Sequence, residues 1–463
     1  MMDIKKNSFL FFFTIIILFG LCLRYFNNFY EGFWSDEVLT LIISDPFIDN
    51  QQMIKNWLHH DGSPIIYFYL TKAFLFIFGF SPENVRLLSI LFSIFTILIS
   101  IFFFKIRYKN EILLSAIFLV AINIFLVWQA KEARIPSTVS FFSMLNIIYF
   151  YFFIHNENKI YLTLLFIFNL FLISYYPFTV TILSAQFLYL CFLKRNLIEI
   201  VKYSAFYLLI LLIYIYINFD YIQLHGSRGL GHIGTIDYKF FFNYFFSSYF
   251  GTYFFGGVSL ILFSISLIRV FFKKIDQEDF IFFHIILIIN TYIFLIIYTF
   301  FKTEIAVPRY FIFLIPSIIF VIIDLFANKK SKIYLYGFLI IALLNTIYGI
   351  QKGRIPKPPI KELIMKLSTE DTNVVFHNEV WFNVYLDNSR IINKKYKIIK
   401  TKDINNFDKI WFICFNNIRA DRGNSVKLPD EEKCKLTLNK FEIIKEFNIP
   451  DFKIILLTKK NAN

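Results

Sequence analysis

The chain has 463 residues, of which 57% are hydrophobic, 21% aromatic and only 17% charged, and its mean hydropathy is +0.59. A soluble chain of this length could not bury so much apolar surface, so the composition excludes a soluble protein and indicates one that crosses the membrane many times. The net charge of +14 comes from basic residues that cluster in short loops between apolar runs. Such residues set topology and contact anionic membrane lipids, so no nucleic acid partner is expected.

The first apolar run, Phe9 to Tyr25, follows Lys5 and Lys6 and is long enough to cross a bilayer. By the positive-inside rule the amino terminus stays in the cytoplasm and the run emerges on the extracytoplasmic face. The adjacent acids Asp36 and Glu37 follow it there. They are candidates for an active site. The alternative is that they cap an interfacial helix, because acids favour the free N–H groups of a first turn.

Residues 26–85 form a long polar and aromatic segment that is expected on the external face. Within it, residues 64–80 are apolar but short for a span, and they include Lys72. We predict an interfacial or re-entrant helix on the external surface, begun by Pro64, since proline suits a first helical turn.

Ten more apolar runs predict spans at about 86–104, 111–128, 137–154, 160–175, 178–193, 198–217, 250–268, 279–300, 309–326 and 332–350. The runs are largely uninterrupted, and their charges lie at their ends. Nearly every short loop rich in Lys or Arg then falls in the cytoplasm. The sequence thus predicts an α-helical polytopic module of about eleven transmembrane helices over residues 1–354. Its external loops are 26–85, 129–136, 218–249 and 301–308.

Residues 355–463 change in composition after a proline-rich linker. Strand-like runs at 373–376, 409–415 and 452–458 alternate with helix-like pieces at 360–367 and 379–386, which predicts a small extracytoplasmic α/β domain. It contains no catalytic constellation, so support or acceptor docking is expected. An oxidising compartment would permit a disulfide between Cys414 and Cys434 without proving one.

The predicted external face collects acids and cations from loops that are far apart in sequence: Asp36, Glu37, Asp61 and Glu132, with Lys131, Arg134, Arg228, Lys302 and Arg309. A lipid-linked sugar phosphate needs this mixture, because cations hold the phosphate and a carboxylate takes the proton of the acceptor. Phosphate is already a good leaving group, so no general acid is required.

Five motifs, in this order, resemble those of the GT-C membrane glycosyltransferases, in particular the protein O-mannosyltransferase and lipid A aminoarabinose transferase group. They are Asp36-Glu37, the stretch His59 to Tyr67, Phe78-Gly79-Phe80-Ser81 with Val85-Arg86-Leu87, the loop Gln129 to Arg134, and Pro308-Arg309-Tyr310. The resemblance covers about residues 1–320. The sequence departs from the group at Ser63, which stands where the group has the first of two prolines, and the tail has no matching motif.

The resemblance implies a GT-C-like fold and an inverting displacement with Asp36 as the catalytic base, while Glu37 shapes the site or orients the acceptor. It implies that Arg134 and Arg309 bind the donor phosphate, with weaker claims for Lys302 and Arg228. Contact with the acceptor or a shaping role falls to the remaining candidates, His60, Asp61, Glu132 and Tyr67.

Some of these assignments have alternatives. His60 and Asp61 also fit a polar interfacial loop, and Glu132 also fits an ion pair with Lys131 or Arg134. A divalent cation is permitted by the clustered acids, but the mannosyltransferase branch of the family is thought to work without one, so metal dependence is open.

The sequence therefore predicts an integral inner-membrane enzyme that transfers a sugar from a polyprenyl phosphate donor to an envelope glycan, lipid or protein on the extracytoplasmic face. The alternative from another class is a flippase or transporter for lipid-linked oligosaccharides, which should carry ionisable or helix-breaking residues in mid-span. An O-antigen-type polymerase is a further alternative. A long loop with paired arginines would favour a polymerase, but Arg228 is a single arginine and gives thin support.

Overall fold

A computed structural model describes residues 2–26, 35–60, 63–156, 158–193, 196–226, 246–272, 280–301, 307–327, 332–352, 373–376, 398–399, 406–415, 441–449 and 452–459. The chain divides into two compact units. The first comprises Met1–Phe26, Gly62–Thr71 and Arg86–Arg354, and the second comprises Asn27–Asp61, Lys72–Val85 and Ile355–Asn463. The predicted domain boundary at residue 355 stays a prediction.

The described part of the chain is mostly helical. In chain order the helices are α1 Met2–Tyr25, α2 Ser35–Ile43, α3 Asn50–His60, α4 Ile65–Phe78, α5 Pro82–Lys105, α6 Asn110–Ile122, α7 Ile124–Ala130, α8 Pro136–Asn156, α9 Lys159–Tyr175, α10 Val180–Leu193, α11 Leu197–Ile217, α12 Phe219–Gly226, α13 Ser248–Phe250, α14 Tyr253–Phe272, α15 Ile281–Phe301, α16 Leu314–Ile323 and α17 Lys332–Lys352. Three short 3₁₀ turns lie at Pro177–Thr179, Pro308–Phe311 and Asp324–Phe326.

Every predicted span coincides with apolar helix, but fewer than eleven helices are long enough to cross a bilayer. Seven pass on length and hydropathy, within α1, α5, α8, α11, α14, α15 and α17, and the bent pair α6–α7 makes an eighth. Three other predicted spans coincide with shorter apolar helices at Lys159–Tyr175, Pro177–Leu193 and Leu314–Phe326. The protein is thus a multi-pass integral membrane protein, with seven or eight spans among the described residues.

The short helices have local causes. Tyr176 is extended, with φ −155° and ψ 101°, and it precedes Pro177. A residue before proline is disfavoured in the helical region, so α9 ends there and the next helix begins with a 3₁₀ turn. The helix α16 is shortened at both ends, because the turn Pro308–Phe311 precedes it and the turn Asp324–Phe326 follows it.

The predicted span at 111–128 coincides with a broken pair of helices. The helices α6 and α7 are bent by 50° at Asn123. The Asn123 side chain accepts a hydrogen bond from the Leu126 amide at 3.0 Å, so it caps the start of α7. A polar residue inside an apolar run therefore ends one helix and begins the next.

The predicted interfacial helix is α4, which begins directly after Pro64 and has 14 residues, too few to span a bilayer. Its last turn exposes Phe76 and Ile77. Gly79 then turns the chain with φ +95°, a conformation that favours glycine. The Asn84 side chain fixes this turn by donating to the carbonyls of Phe78 and Gly79 at 2.7 and 2.9 Å.

Polar side chains that are buried in the first unit form hydrogen bonds with one another. Asn146, Asn169 and Gln186, from α8, α9 and α10, close a ring of three amide hydrogen bonds of 2.6 to 3.0 Å, and each side chain is fully buried. The Tyr207 hydroxyl of α11 donates to Gln186 at 3.2 Å. Interhelical hydrogen bonds of this kind hold membrane helices in register.

A second polar set joins the loop after α5, the helix α14 and the end of α16 with the turn after it. The Arg107 side chain forms a 2.8 Å ion pair with Asp324, which is 3% exposed. Arg269 donates to the carbonyl of Asp324 at 3.3 Å, and the Tyr108 hydroxyl donates to the Phe320 carbonyl at 2.6 Å. These contacts satisfy the carbonyls at the end of α16.

The tail contains a five-stranded mixed sheet with strands β1 Asn373–Phe376, β2 Ile398–Ile399, β3 Lys409–Phe415, β4 Phe441–Ile449 and β5 Phe452–Lys459. The strand order is β2-β1-β3-β5-β4, with β1 parallel to β2 and β3, and β5 antiparallel to β3 and β4. Its core contains Ile410, Phe412, Phe441, Ile455 and Leu457. The predicted helices at 360–367 and 379–386, and Cys434, lie outside the described residues.

Candidate active site

The acidic pair lies in the second unit, in the first turn of α2. Glu37 is fully buried and Asp36 is half-buried. The carbonyl of Asp36 accepts a hydrogen bond from the Thr40 hydroxyl at 3.0 Å. Acids in a first turn interact favourably with its free N–H groups, so the pair occupies the position that the capping interpretation expects.

The same unit holds α3 against α4. The Lys72 ammonium of α4 donates to the carbonyl of Ile48 at 2.6 Å and to the side chain of Asn50 at 3.3 Å. His60 is the last residue of α3, and Asp61 lies outside the described residues.

The loop between α7 and α8 is short and fixed, and it belongs to the first unit. Lys131 ends α7, and its ammonium donates to the Phe26 carbonyl at the end of α1 at 2.6 Å. The Arg134 amide then bonds the Glu132 carbonyl at 2.8 Å, and Glu132 is only 3% exposed. The loop therefore buries one acid while Arg134 stays half-buried.

Arg134 is held from two sides. Its guanidinium donates to the Ser63 hydroxyl at 3.3 Å, and its carbonyl accepts from the Ser89 hydroxyl at 3.4 Å. Ser63 precedes α4 and Ser89 lies on α5, so two elements besides the loop position this arginine. A guanidinium has five N–H donors in a planar fork, a geometry that suits a phosphate.

Arg309 lies in the 3₁₀ turn Pro308–Phe311, which begins with proline. Its guanidinium carbon is 5.7 Å from the centre of the Tyr310 ring, which is cation–π range. The Tyr310 ring stacks on Phe178, with centres 5.0 Å apart and planes 12° apart. Phe178 belongs to the turn Pro177–Thr179, so ring stacking joins the two proline-started turns.

Tyr176 lies near both of these arginines. Burial raises the pKa of its hydroxyl well above the usual value, and the neighbouring Tyr310 and Tyr221 raise it further, whereas Arg309 and Arg134 lower it. Both guanidinium groups thus act electrostatically on one buried phenol, although their loops are far apart in sequence. Arg134 and Arg309 therefore lie near the same buried phenol in the first unit.

Tyr67 lies in the same unit and is fully buried on α4. Its ring meets Phe68 edge to face at 5.6 Å, and its carbonyl accepts from the Thr71 hydroxyl at 2.8 Å. It also acts electrostatically on Tyr175, whose hydroxyl bonds Thr138 of α8. A packing role for Tyr67 follows from these contacts.

Lys302 and Arg228 lie outside the described residues, so their predicted part in phosphate binding stays a prediction. Among the residues that the structure describes, no group of three or more His, Cys, Asp or Glu side chains could hold a metal ion.

Sequence reasoning missed Tyr176, Phe178 and Arg24. Tyr176 and Phe178 stand in the loop Ser174 to Phe178, whose proline marks a turn between two apolar runs. Arg24 is an arginine inside the first apolar run, and it is fully buried. An ionisable residue within a span is rare and marks a special role.

The helical bundle defines a polytopic membrane protein. Comparison with known proteins shows which membrane proteins this chain resembles. Residues 62–218, about a third of the chain, match the model of the dolichyl-phosphate-mannose-protein mannosyltransferase family. This segment includes Ser63, Tyr67, Glu132, Arg134 and Tyr176. No curated protein sequence matches the chain significantly.

Solved structures share the fold at low sequence identity. ArnT from Cupriavidus metallidurans in the apo state aligns with a TM-score of 0.61 at 7% identity, over 97% of this chain and 98% of that one. The same protein bound to undecaprenyl phosphate gives 0.57 at 9% identity with the same coverage. The apo oligosaccharyltransferase of Archaeoglobus fulgidus gives 0.49 at 12% identity, over 82% of this chain and 64% of that one, which is too low to support an inference.

The family match and the ArnT-like fold confirm the resemblance seen in the motifs. The protein is a membrane glycosyltransferase of the GT-C fold that uses a sugar donor linked to a lipid phosphate.

Proposed function

We propose that the protein transfers one sugar from a polyprenyl phosphate to an envelope glycan, lipid or protein on the extracytoplasmic face, with inversion at the anomeric carbon. A polyprenyl carrier is supported by the ArnT structure of the same fold, which is bound to undecaprenyl phosphate. The observation that carries the proposal is the position of Arg309 beside a chain of ring contacts, Tyr310 on Phe178 and Phe178 on Tyr176. Arg134 acts electrostatically on the same phenol.

The two arginines suit a phosphate that becomes a leaving group. A phosphodiester carries one negative charge in the donor, and it gains a second as its bond to the sugar breaks. Guanidinium groups held in place stabilise the more highly charged state more strongly, which lowers the barrier of the chemical step. The buried phenol of Tyr176 stays neutral and adds a hydrogen-bond donor, which also favours the more highly charged phosphate.

The other half of the reaction is deprotonation of the acceptor. Its hydroxyl oxygen forms the new bond to the anomeric carbon, the bond from that carbon to the phosphate oxygen breaks, and the proton passes to the Asp36 carboxylate. The transition state has oxocarbenium character, as in other glycosyl chemistry. Asp36 is assigned this role because it matches the family's acidic motif and stays half-buried, whereas Glu37 is fully buried and shapes the turn.

The extracytoplasmic orientation follows from the basic loops. Labelling of single cysteines introduced at Ser35 and Ser425 tests it. Both should react with an impermeant reagent added to intact cells. Protection of either, when the unfolded protein reacts, would reverse the topology.

The function itself is tested by mass spectrometry of envelope glycans, lipids and glycoproteins from a deletion strain, complemented with wild type or with Asp36→Asn at matched expression. We expect a deficit of one sugar mass that only wild type restores. That mass would identify the sugar and the acceptor. Full restoration by Asp36→Asn would refute the assignment of the base.

A further inference from the structure

Arg24 is the last-turn arginine of α1, and it is fully buried inside the first unit. Its guanidinium makes four hydrogen bonds to protein. Nε donates to the Ser93 hydroxyl of α5 at 2.6 Å, and Nη1 donates to the carbonyl of Gly20 at 3.1 Å and to that of Ala121 at 2.7 Å. Nη2 reaches the Val120 carbonyl at 3.5 Å. Protein oxygens thus surround the charged group, which is not exposed to lipid.

Two of these acceptors belong to the last turn of α6, directly before the bend. The last four carbonyls of a helix have no partner within it, and in a membrane an unsatisfied carbonyl costs several kcal/mol. Arg24 satisfies those of Val120 and Ala121, and the Thr346 hydroxyl of α17 satisfies that of Ile122 at 2.7 Å. Side chains from α1 and α17 therefore take the place of the amides that the bend removes.

The packing around the bend allows these contacts. Gly20 lets α1 approach α6, because a Cβ there would come within 2.7 Å of Ile97 and 3.4 Å of Ala121. Ile124, the first residue beyond the bend, fits against Gly251 and Gly349, where an added Cβ would collide with its side chain. The bend is thus a built feature of the bundle.

The bend also sets the direction of α7, which leads within one loop to Arg134. Only the turn Lys131 to Ile135 separates the end of α7 from α8. Lys131 ties this turn to the Phe26 carbonyl, two residues after Arg24. The end of α1 therefore contacts the last turn of α6, before the short helix, and the loop with Arg134, after it.

We propose that Arg24 is a positioning residue for the transferase. It fixes the bend between α6 and α7, and so the place of the Arg134 loop, without touching the donor. The link to donor binding rests on the proposed role of Arg134, whereas the control of the bend does not.

The bend is tested first, by electron paramagnetic resonance in a chain whose four native cysteines are serine. Spin labels at Lys109 and Trp128 flank the bend, about 25 to 30 Å apart at 1.5 Å rise per residue. We expect the distance distribution to broaden or shift in Arg24→Ala and in Arg24→Lys, because an ammonium cannot reproduce the planar fork. The matched control is Gln186→Leu, which removes a buried polar group away from the bend and should leave the distribution unchanged.

The second measurement is the affinity for undecaprenyl phosphate in nanodiscs. Arg24→Ala should weaken it about tenfold, and the effect of Arg134→Ala should shrink in the Arg24→Ala background, since coupled residues are not additive. Arg24→Lys and Thr346→Val serve the same tests if Arg24→Ala does not fold.

The two measurements separate the two proposals. An unchanged distance distribution in the Arg24 variants would overturn the positioning role. If the distance distribution changes but neither Arg24→Ala nor Arg134→Ala loses affinity, the positioning role of Arg24 stands. The same result would refute the phosphate role of Arg134. Additive losses of affinity in the double variant would show that Arg24 does not act through the Arg134 loop.

Discussion

The guanidinium of Arg134 donates a hydrogen bond to the hydroxyl of Ser63, 3.3 Å away, in the first unit. Ser63 is the residue at which the chain departs from the paired prolines of the family it resembles. Proline could not make this bond, because it has no side-chain acceptor. The serine at this position therefore contacts Arg134, which is proposed to bind the phosphate of the sugar donor.

We expect Ser63→Ala to weaken the binding of undecaprenyl phosphate about two- to tenfold, the value of one net hydrogen bond of about 0.5 to 1.5 kcal/mol. Thr71→Val is the control, since it removes a hydroxyl that bonds only the Tyr67 carbonyl of the same helix. Isothermal calorimetry in detergent measures both. Equal affinities in Ser63→Ala and wild type would show that this bond does not position Arg134.

Asp36→Asn should leave membrane insertion and donor binding intact and lower the transfer rate about 10²- to 10⁴-fold, because the amide cannot accept the proton of the acceptor. Asp45→Asn is the control, since Asp45 lies in the same unit and its side chain accepts from the Phe47 amide in a turn. Transfer is measured with radiolabelled polyprenyl phosphate sugar and isolated envelope fraction. A rate like that of wild type would end the assignment of Asp36 as the base.

Arg134→Ala and Arg309→Ala should each reduce the affinity for undecaprenyl phosphate by about tenfold or more, because hydrogen bonds to charged groups are worth about 1.5 to 3 kcal/mol. Arg269→Ala is the control, since Arg269 bonds the Asp324 carbonyl in the other polar set of the first unit. Native mass spectrometry compares the bound fractions. If both variants retain the wild-type affinity, neither arginine binds the donor phosphate.

Because burial raises the pKa of Tyr176 well above its ordinary value, the phenol stays neutral throughout the physiological range. The raised folded-state pKa means that the stabilisation is fully present below the unfolded value of about 10 and is lost as pH rises above it. Tyr176→Phe should therefore lose stability less steeply than wild type above pH 10. Thermal unfolding across pH 8 to 11 measures this, and identical slopes would contradict the burial of a neutral phenol.

The amide ring predicts a purely structural effect. Gln186→Leu should lower thermal stability by about 1 to 2 kcal/mol, because it leaves Asn146 and Asn169 each without one amide partner inside the membrane. Undecaprenyl phosphate affinity of the folded fraction should not change. A loss of affinity without a loss of stability would place the ring in the donor site instead.

The spans could be predicted because each is an apolar run bounded by charged or turn-forming residues, and the strands β1, β3 and β5 because their β-branched and aromatic runs are bounded by polar residues. The number of full-length spans could not. The run 309–326 reads as one helix, but the turns Pro308–Phe311 and Asp324–Phe326 shorten it at both ends. The strand β4 was not singled out among the expected strands.

The same limit applies to the site. Arg134 and Arg309 stood out because a known family carries arginines in those motifs, yet their meeting at Tyr176 depends on how distant loops pack. Asn123 and Arg24 stand out as polar residues within apolar runs, but the bend and the burial depend on contacts with distant helices. Arg24 lies in the last turn of α1 and is nevertheless fully buried, since protein oxygens accept its hydrogen bonds.

The fit of Ile124 against two glycines has a consequence for sequence comparison. Gly251 is fixed by its backbone, with φ +86°, but Gly349 is constrained only by the volume that Ile124 occupies. A methyl group can therefore be gained at position 349 only where position 124 becomes smaller. In a set of homologous sequences these two distant positions should vary together, so covariation between them would report the packing of α17 on the bend without any coordinates.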